Sequence, residues 1–452
     1  MTLPPRVAPA PMPLSFPRNL VKLVTNNLEL LPEAAYREEL VVAPGPPRLI
    51  FAMGEELVAD LLQARAQEFP KGALQNAVLD PLFGNAMISS HGKDWRWQRS
   101  LAAPMFRHEQ LLAYGPIMNE AARMLCSDWR AAPEGAIRDI SADASKATFH
   151  VIANTMLAGG ASSDLADISS GKEEYFRYMN WWIVNRMLGL PAWLPRPGGR
   201  VMREQERKLR STVRRLVDKR HAAMSEESKS GEDLLFRLLT SSDPETGQAM
   251  GNKRIVNNIL AFLVAGYDTT ALTLAWALYL LASEPDWQNR VREEVRQLPS
   301  AEVTTADHDK LVVTRQVVQE TMRLYPTAPV IVRDIPEDTT IAGHAFKAGA
   351  PCIIPIYAIH RHHSYWKDPD RFDPQRFAPS APKPGRFTYL PFGAGPRICI
   401  GAAFATLELS ILLANLVRNA CFETVHGEVP SPVGHIFLGT QKPIRLKVTP
   451  LG

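Results

Sequence analysis

The chain has 452 residues, of which 46% are hydrophobic and 22% charged, and its formal net charge is +4. This is ordinary globular composition, with enough length to bury a large core. The small net charge, and the lack of a basic run with interleaved aromatic residues, argue against nucleic acid as a partner. The four cysteines, at positions 126, 352, 399 and 421, lie far apart, so neither a disulfide framework nor a zinc site is expected.

The N-terminal stretch is rich in proline between Pro4 and Pro17. It predicts an extended arm over residues 1–30, ahead of a single domain over residues 31–452. It holds no continuous apolar stretch of about 18 residues and no secretory leader pattern. We therefore expect a soluble, cytoplasmic protein without a membrane anchor.

Hydrophobic periodicity predicts a mostly helical α+β fold with short strands towards the two ends of the chain. The predicted helices are Glu55–Arg65, Trp95–Met105, Met118–Trp129, Arg200–Glu226, Asn252–Ser283, Asp286–Gln297, Asp307–Leu324 and Ala402–Val417. The predicted strands are Leu49–Ala52, Val330–Asp334, Thr340–Ile341, Pro351–Tyr357 and Pro443–Val448.

The longest apolar run, from about Lys253 to Ser283, predicts a helix that is buried on nearly all sides. It contains Ala265-Gly-Tyr-Asp-Thr-Thr270, and glycine, aspartate and threonine are poor choices for the middle of a buried helix. The hydroxyl of Thr269 can bond the carbonyl of Ala265 and bend the helix open into a bulge. A glycine kink with threonine caps, without any function, explains this segment by itself equally well.

A carboxylate and a guanidinium lie three residues apart in Glu320-Thr-Met-Arg323. Most such pairs are solvated and contribute well under about 1 kcal/mol. The apolar residues that precede this pair indicate that the helix packs inside the protein. Further along, Phe372-Asp-Pro-Gln-Arg-Phe377 offers Arg376 as a third partner.

The most informative segment is Phe392-Gly-Ala-Gly-Pro-Arg-Ile-Cys-Ile-Gly401, directly before an apolar helical run. Gly393 and Gly395 allow positive φ and close backbone approach. A helix starting after Gly401 would stabilise negative charge on the Cys399 sulfur. A buried cysteine in a glycine-rich turn is the ordinary alternative for an isolated cysteine.

These ten residues resemble the haem-binding loop of cytochrome P450 enzymes. The resemblance implies that Cys399 is the axial thiolate of haem iron and that the cofactor lies against Phe392, Gly393, Gly395 and Gly401. A thiolate donates electron density that favours O–O cleavage. The resemblance covers about residues 57–448 and implies the triangular cytochrome P450 fold, with a long central helix and small β-sheets.

By the same resemblance, Asp268 and Thr269 are the acid and the alcohol that deliver protons, and Ala265 and Gly266 line an oxygen groove. The three charged residues of the scaffold would form a buried triad that holds the cysteine loop: Glu320, Arg323 and Arg376. We assign this triad a structural role only.

Haem carries propionates, so its site needs cations at one rim. Four candidates stand at positions like those of the family, namely Trp95, Arg99, Arg333 and Arg397. His91 is a weaker alternative donor. Each of the four could instead be an ordinary surface or packing residue when taken alone. His360, His362 and His363 read as a solvated loop cluster.

The resemblance also implies an apolar substrate pocket that includes a loop over residues 74–87. Its predicted lining is Leu79, Leu82, Phe83, Phe262, Ala328, Val330, Ile331 and Phe437. The aromatic segment Tyr175–Trp182 is interpreted as a lid over this pocket, with plain core as the alternative.

The function implied is a haem b monooxygenase that inserts one atom of O2 into a hydrophobic small molecule, acting as a monomer. No flavin or iron–sulfur module is attached, so we expect a ferredoxin-type or flavodoxin-type donor to dock on a basic patch. That patch would comprise Lys93, Arg96, Arg107 and Arg386. The alternatives are a peroxide-driven haem-thiolate peroxygenase or isomerase and a non-catalytic haem protein that binds ligands. The acid–alcohol pair argues against both.

Overall fold

A computed structural model of the chain describes residues 3–10, 16–43, 49–157, 165–188, 190–191, 193–224, 233–243 and 246–451. Sixteen α-helices lie in these ranges. They are α1 Phe16–Thr25, α2 Glu55–Ala59, α3 Ala73–Phe83, α4 Gly92–Ala102, α5 His108–Ala113, α6 Gly115–Arg130, α7 Ile140–Met156, α8 Leu165–Arg177, α9 Met179–Met187, α10 Gly199–Met224, α11 Leu234–Thr240, α12 Asn252–Ser283, α13 Pro285–Arg296, α14 Val312–Leu324, α15 Ile356–Ile359 and α16 Ala402–Asn419.

The strands form small sheets at the margins of the helical body. They are β1 Leu40–Ala43, β2 Leu49–Ala52, β3 Ile137–Asp139, β4 Ile331–Asp334, β5 Thr339–Ile341, β6 His344–Phe346, β7 Pro351–Ile354, β8 Ala420–Thr424, β9 Pro432–Gly434, β10 Leu438–Thr440 and β11 Arg445–Pro450. One sheet has the order β1-β2-β7-β4 and another β3-β11-β8, while β9–β10 and β5–β6 are two-stranded. In the first sheet only the β2–β7 pair is parallel. The predicted α+β, mostly helical class is confirmed.

Helix α12 is the axis of the fold, and its bounds equal the predicted ones. It packs against α7, α10, α14 and α16, which explains why apolar residues surround it on nearly every side. By length and composition it would also suit a membrane span, but 67% of its most apolar window is buried within the protein. Helix α12 remains α-helical through residues 265–270, so the predicted bulge is not present there.

Three segments differ from the predicted elements. Residues 74–87, expected to be a loop, are largely helix α3, which ends at Gly84 with a φ of +53°. The expected extended arm contains helix α1. The strand predicted to reach Tyr357 stops at Ile354 because Pro355 begins helix α15.

Candidate active site

The cysteine loop is fixed by its own backbone and by one close approach. The amide of Cys399 donates to the carbonyl of Phe392 over 3.0 Å, which closes the loop. Gly393 and Gly395 have φ values of +71° and +70°. A Cβ on Gly395 would lie 1.7 Å from the carbonyl oxygen of Leu62, so no other residue fits there.

The thiol of Cys399 is exposed on one side of the loop and surrounded by protein atoms on the other. This partial burial raises the pKa of the thiol, while a hydrogen bond from the amide of Gly401 and the charge of Arg99 act in the opposite direction. Gly401 caps the start of α16. These donors stabilise a thiolate, so a metal ion bound here would readily displace the proton.

The predicted triad residues lie together in the buried core. The two nitrogens Nε and Nη2 of Arg323 donate to both Glu320 carboxylate oxygens over 2.7 and 2.8 Å. Nε of Arg376 lies 3.4 Å from the same carboxylate. The remaining Arg323 donors reach the carbonyls of His360, Pro369 and Arg371. Each side chain therefore ties α14 to the segment that leads into the cysteine loop.

The prediction of a solvated histidine cluster is wrong for two of its three members, since only His363 is exposed. His360 and His362 are buried, at 0% and 1% exposure. Nε2 of His360 accepts from the amide of Leu390 over 2.7 Å, and its ring stacks on Tyr389. Burial, together with the charge of Arg323, lowers the pKa of His360 to about 3. His360 therefore links the triad to the cysteine loop as a neutral ring.

On α12, the predicted hydrogen bond from the Thr269 hydroxyl to the Ala265 carbonyl is present, at 2.8 Å. Phe262, Ala265 and Thr269 are partly accessible while most of the helix is buried, so they mark an open face. Gly266 is partly accessible like Ala265, so its place in the oxygen groove stays a prediction. A Cβ on Gly266 would lie 2.7 Å from the Cδ1 of Ile152, so this glycine allows close packing against α7.

Asp268 is held by a residue that the sequence did not suggest. Nζ of Lys172, on α8, lies 2.5 Å from Oδ1 of Asp268, and the two side chains are 7% and 14% exposed. The ammonium group also lies 4.9 Å from the ring centre of Tyr267. Burial alone would lower the pKa of Lys172, but Asp268 and Tyr267 outweigh that effect and raise it. Lys172 stands among polar residues in the chain, so no sequence pattern marks it as buried.

One phenylalanine joins the cysteine loop to the accessible face of α12. The ring of Phe106 lies 3.7 Å from the Cβ position of Gly401. The same ring stacks on Phe262 with 6.4 Å between centroids. The sulfur ligand and the oxygen-side helix therefore belong to one site.

The predicted rim residues fall into two groups. In the first, the ring of Trp95 lies between Arg397 at 4.5 Å and Arg99 at 5.7 Å. Arg99 donates to the carbonyl of Ile398 and Arg397 to that of Ser90, each over 3.0 Å. Arg99 therefore lies against the cysteine loop itself.

The second group contains Arg333 and an unpredicted lysine, Lys71. The two residues face each other in an isolated bridge beside β4. Lys71 donates to the carbonyl of Ile88. Burial lowers the pKa of both side chains, and repulsion from Arg397 lowers it further, so the three cations are close together. No motif surrounds Lys71, and only the fold reveals it.

These side chains fit a haem group. Across the described ranges, no carboxylate forms an ion pair with Lys71, Arg333 or Arg397. Gathered cations without a protein counter-charge match the two propionates of haem. Cys399, with its accessible sulfur, offers the soft ligand that haem iron accepts. In the described part of the chain, no group of His, Cys, Asp and Glu side chains could hold a separate metal ion.

The predicted pocket residues fall into a solvent-accessible group and a buried group. Five apolar side chains are at least partly accessible to solvent: Phe262, Ala328, Val330, Ile331 and Phe437. Leu79, Leu82 and Phe83 are buried in the core on α3. Leu82, at 0% exposure, offers no surface to a ligand, and its carbonyl accepts a hydrogen bond from Arg210 of α10.

The aromatic segment Tyr175–Trp182 spans the junction of α8 and α9. Tyr175 is buried in the core, and Phe176 contacts Phe437 at 6.1 Å. Nε1 of Trp182 donates to the Ala77 carbonyl of α3 over 2.6 Å. Tyr175 therefore belongs to the core, and the lid interpretation of the other aromatic residues stays a prediction. The side chains of the proposed basic patch are all exposed: Lys93, Arg96, Arg107 and Arg386.

Comparison with known proteins agrees with this geometry. The sequence model described as cytochrome P450 matches residues 18–448. Cyclooctat-9-en-7-ol 5-monooxygenase of Streptomyces melanosporofaciens is 30% identical over 398 residues, which cover 87% of this chain and 84% of that protein. A cytokinin hydroxylase of Arabidopsis thaliana is 31% identical over 408 residues, covering 86% and 76%.

Among solved structures, the haem domain of cytochrome P450DA superposes with a TM-score of 0.83. The match covers 99% of this chain and 98% of that one at 23% identity, so it is evidence for the fold alone. The relatives include plant and animal proteins as well as bacterial ones. The chain belongs to the cytochrome P450 family and is a haem-thiolate monooxygenase.

Proposed function

We propose that this enzyme hydroxylates or epoxidises a bulky hydrophobic small molecule, as a soluble cytoplasmic monomer. It would use haem b, O2 and electrons from a separate ferredoxin-type or flavodoxin-type protein. The observation that carries the O2-dependent reaction is the position of Asp268, held by Lys172, directly before Thr269 on a partly accessible part of α12. A peroxide-driven enzyme needs no proton delivery from this side.

Haem, bound through Cys399, would supply oxygen activation and insertion. The protein supplies protons and excludes water. The hydroxyl of Thr269 donates to the Ala265 carbonyl and lies on the accessible face of α12, where it would hold a proton for the site. Asp268 neighbours it in the chain and is the carboxylate able to restore a proton to this site.

Lys172 acts as a positioning residue for that carboxylate. A buried ion pair holds Asp268 towards α8. To serve Thr269, Asp268 must leave Lys172, and that costs free energy unless α8 moves with it. Since α8 also carries Phe176 against Phe437, substrate contact at this helix would influence proton delivery.

The accessible lining supports an apolar substrate. Phe262, Val330 and Phe437 offer apolar surface, and Lys172 and Asp268 neutralise each other, so the site is poor for a charged ligand. One relative is named for oxidation of cyclooctat-9-en-7-ol. From that name we carry over to this enzyme only a preference for substrates with a large, mostly hydrocarbon ring system.

The exposed basic patch supports docking of an acidic electron donor. Arg96 lies within α4 and Arg107 shortly after its end, and α4 lies against the cysteine loop through Arg99. Opposite charge speeds encounter and is screened by salt. Turnover with an acidic donor should therefore fall as ionic strength rises.

The test begins with the reduced, CO-bound absorption band, which distinguishes thiolate from histidine ligation. Turnover of a hydrophobic substrate panel is then compared with donor proteins and with hydrogen peroxide. We expect donor-dependent product, and Thr269→Ala should divert consumed O2 into peroxide. Thr273→Ala is the matched control, since its hydroxyl donates to the Thr269 carbonyl on the same helix.

Two results would favour the other functions. Peroxide-driven turnover that is insensitive to Thr269→Ala, with none from donor proteins, would indicate a peroxygenase. Tight binding across the panel without product under either condition would indicate a haem protein that only binds ligands.

A further inference from the structure

Helix α10 carries an unusual concentration of positive charge. Its sequence holds nine lysines and arginines against three carboxylates, which gives a net charge of +6. The whole chain carries only +4, so all the other residues together carry −2. The positive charge of the protein is therefore concentrated on one helix.

Four arginines of α10 form an arginine stripe on its outer face: Arg200, Arg203, Arg207 and Arg214, all of them exposed. Successive residues of an α-helix turn by about 100°, so these four lie within about 60° of each other around the axis and span about 21 Å. Nε of Arg207 donates to the Arg203 carbonyl over 3.2 Å. The opposite face of α10 includes Leu209 and is buried in the core.

The arginine stripe differs from neighbouring cations on α10 by having no counter-charge. Lys208 pairs with Glu204 and Arg210 with Glu206, each over 2.9 Å. Within the part of the chain that the structure describes, no carboxylate forms an ion pair with an arginine of the stripe. Like charges three or four residues apart destabilise a helix slightly, so the stripe does not serve the stability of α10. Its free guanidinium groups suit carboxylates from another molecule.

The inner face of α10 connects the stripe to the substrate side of the enzyme. Helix α10 packs against α8 and α12. Cδ2 of Leu209 lies 3.3 Å from the position that a Cβ on Gly171 would take. Gly171 directly precedes Lys172, which holds Asp268 of α12. A molecule bound to the stripe would therefore be one helix away from the Lys172–Asp268 pair.

We propose that the arginine stripe docks a second protein, one that presents a row of carboxylates, on the substrate side of this enzyme. This partner differs from the electron donor, whose proposed basic patch lies on and near α4, beside the cysteine loop. The inference goes beyond the proposed function and rests on it only for the position of the substrate pocket.

The composition of the outer face favours a protein partner over a lipid surface or a nucleic acid. A guanidinium group binds a carboxylate through two parallel hydrogen bonds, which rewards carboxylates that a folded partner holds at a matching spacing. Helices that lie on membranes place apolar residues beside the basic ones, whereas the outer face here carries Glu204, Ser211 and Asp218, all exposed. The carboxylates of Glu204 and Asp218 would repel a phosphate surface, but each can meet a cation on a protein.

The experiment measures binding of a fluorescent helical peptide to the haem-loaded enzyme by anisotropy. The peptide consists of alanine, glutamine and four glutamates, whose positions repeat the sequence spacing of the arginine stripe. A control peptide has the same composition, with its glutamates distributed around the helix. Both are titrated at low and at physiological ionic strength, because screening weakens contacts between exposed charges.

Two double variants locate the binding surface. Arg203→Glu with Arg207→Glu reverses two charges of the stripe. Arg96→Glu with Arg107→Glu makes the same change in charge on the exposed patch near the cysteine loop and is the matched control. The thiolate-type CO band is recorded for each protein, so that only haem-loaded, folded enzyme is compared.

We expect wild type to bind the spaced peptide at least about fivefold more tightly than the control peptide, since electrostatic complementarity gives specificity. The stripe variant should bind the spaced peptide at least about tenfold more weakly than wild type, and the variant near the cysteine loop should stay within about twofold. Binding should weaken as ionic strength rises.

Three results would overturn the proposal. Equal affinity of wild type for the two peptides, or no measurable binding of either, would leave only a general attraction between net charges. An equal or larger loss in the variant near the cysteine loop would place the peptide at the electron-donor patch. No preference between the peptides, together with sedimentation on phosphatidylglycerol vesicles that the stripe variant loses, would indicate a lipid-binding surface.

The comparison of the two peptides uses wild type alone, so it decides the matter even if the stripe variant does not load haem. No turnover is required at any point. A failure here therefore leaves the monooxygenase assignment standing, and a failure to oxidise the substrate panel leaves the docking result standing.

Discussion

The two sides of the active site are held in different ways. On the cysteine side, Glu320, Arg323 and His360 are fully buried and bonded to backbone carbonyls, amides or each other. On the α12 side, Asp268 depends on one lysine from a helix distant in the chain, within a partly accessible face.

This difference suggests a division of labour. A scaffold with several bonds per charged group resists motion, which suits a ligand that must stay on the metal. A single ion pair next to an accessible face has fewer contacts to break than the scaffold, which suits a proton path that must be gated. The following changes test whether the two sides separate in this way.

The largest effect should come from breaking the scaffold with Arg323→Leu. Glu320 would then keep a buried carboxylate without its bidentate partner, at a cost of about 3–5 kcal/mol. We expect little haem-loaded protein, measured as the ratio of haem to polypeptide and by the CO band. Arg123→Leu removes a solvent-exposed pair with Glu302 and should cost under about 1 kcal/mol. Equal losses from both variants would contradict the scaffold role.

Next comes the ion pair of Lys172 and Asp268, tested by a double-mutant cycle. Lys172→Met and Asp268→Asn should each destabilise the protein by about 2–4 kcal/mol, since each leaves a buried polar group unpaired. The double variant should recover part of that loss, giving a coupling of about 1–3 kcal/mol in denaturant unfolding.

Turnover measurements test whether Lys172 also affects catalysis. Lys172→Met should keep the thiolate-type CO band and yet lower the product formed per O2 consumed, because Asp268 loses the side chain that positions its carboxylate. If Lys172→Met formed as much product per O2 consumed as wild type, Lys172 would serve only to stabilise the fold.

The sequence identified the cysteine side far better than the α12 side. The loop at Cys399 and the Glu320–Arg323 pair are contiguous patterns, whose partners lie within a few residues of each other. Thr269 was also found, because its hydrogen bond to Ala265 depends only on helical spacing. Lys172 and Lys71 were not found, because their partners are fixed by tertiary packing and neither stands in a distinctive local pattern.

The same limit explains the wrong expectations. His360 and His362 stand among polar residues that look solvated, yet α15 and α14 enclose them. The packing role of Gly266 was also missed, because only the fold shows that Ile152 of α7 lies where its Cβ would be. Burial is a property of the whole fold, and short motifs do not report it.

The cysteine side should also be the more sensitive to acid. His360 has a folded-state pKa of about 3, lowered by burial and by Arg323. The unfolded chain binds a proton near pH 6.5 and the folded one does not. The free energy of unfolding should therefore fall by up to about 1.4 kcal/mol per pH unit as the pH drops below 6.5. Unfolding of His360→Asn, followed from pH 7 to 5, should lack that component. An identical pH slope in both proteins would show that His360 is not a neutral link.

The smallest effect should appear at the lid, where α9 meets α3 through one hydrogen bond from Trp182 to the Ala77 carbonyl. Trp182→Phe keeps an aromatic ring and removes that donor, at a cost of about 1 kcal/mol. We expect the dissociation rate of a bound ligand, read by stopped-flow at the haem band, to rise about two- to fivefold. The CO band and the haem content should not change, since no scaffold bond is touched. Trp193→Phe, at a side chain that is 80% exposed, is the matched control and should leave the rate unaltered. If Trp182→Phe instead released haem, the lid and the scaffold would be one cooperative unit, and the contrast between the two sides of the site would fail.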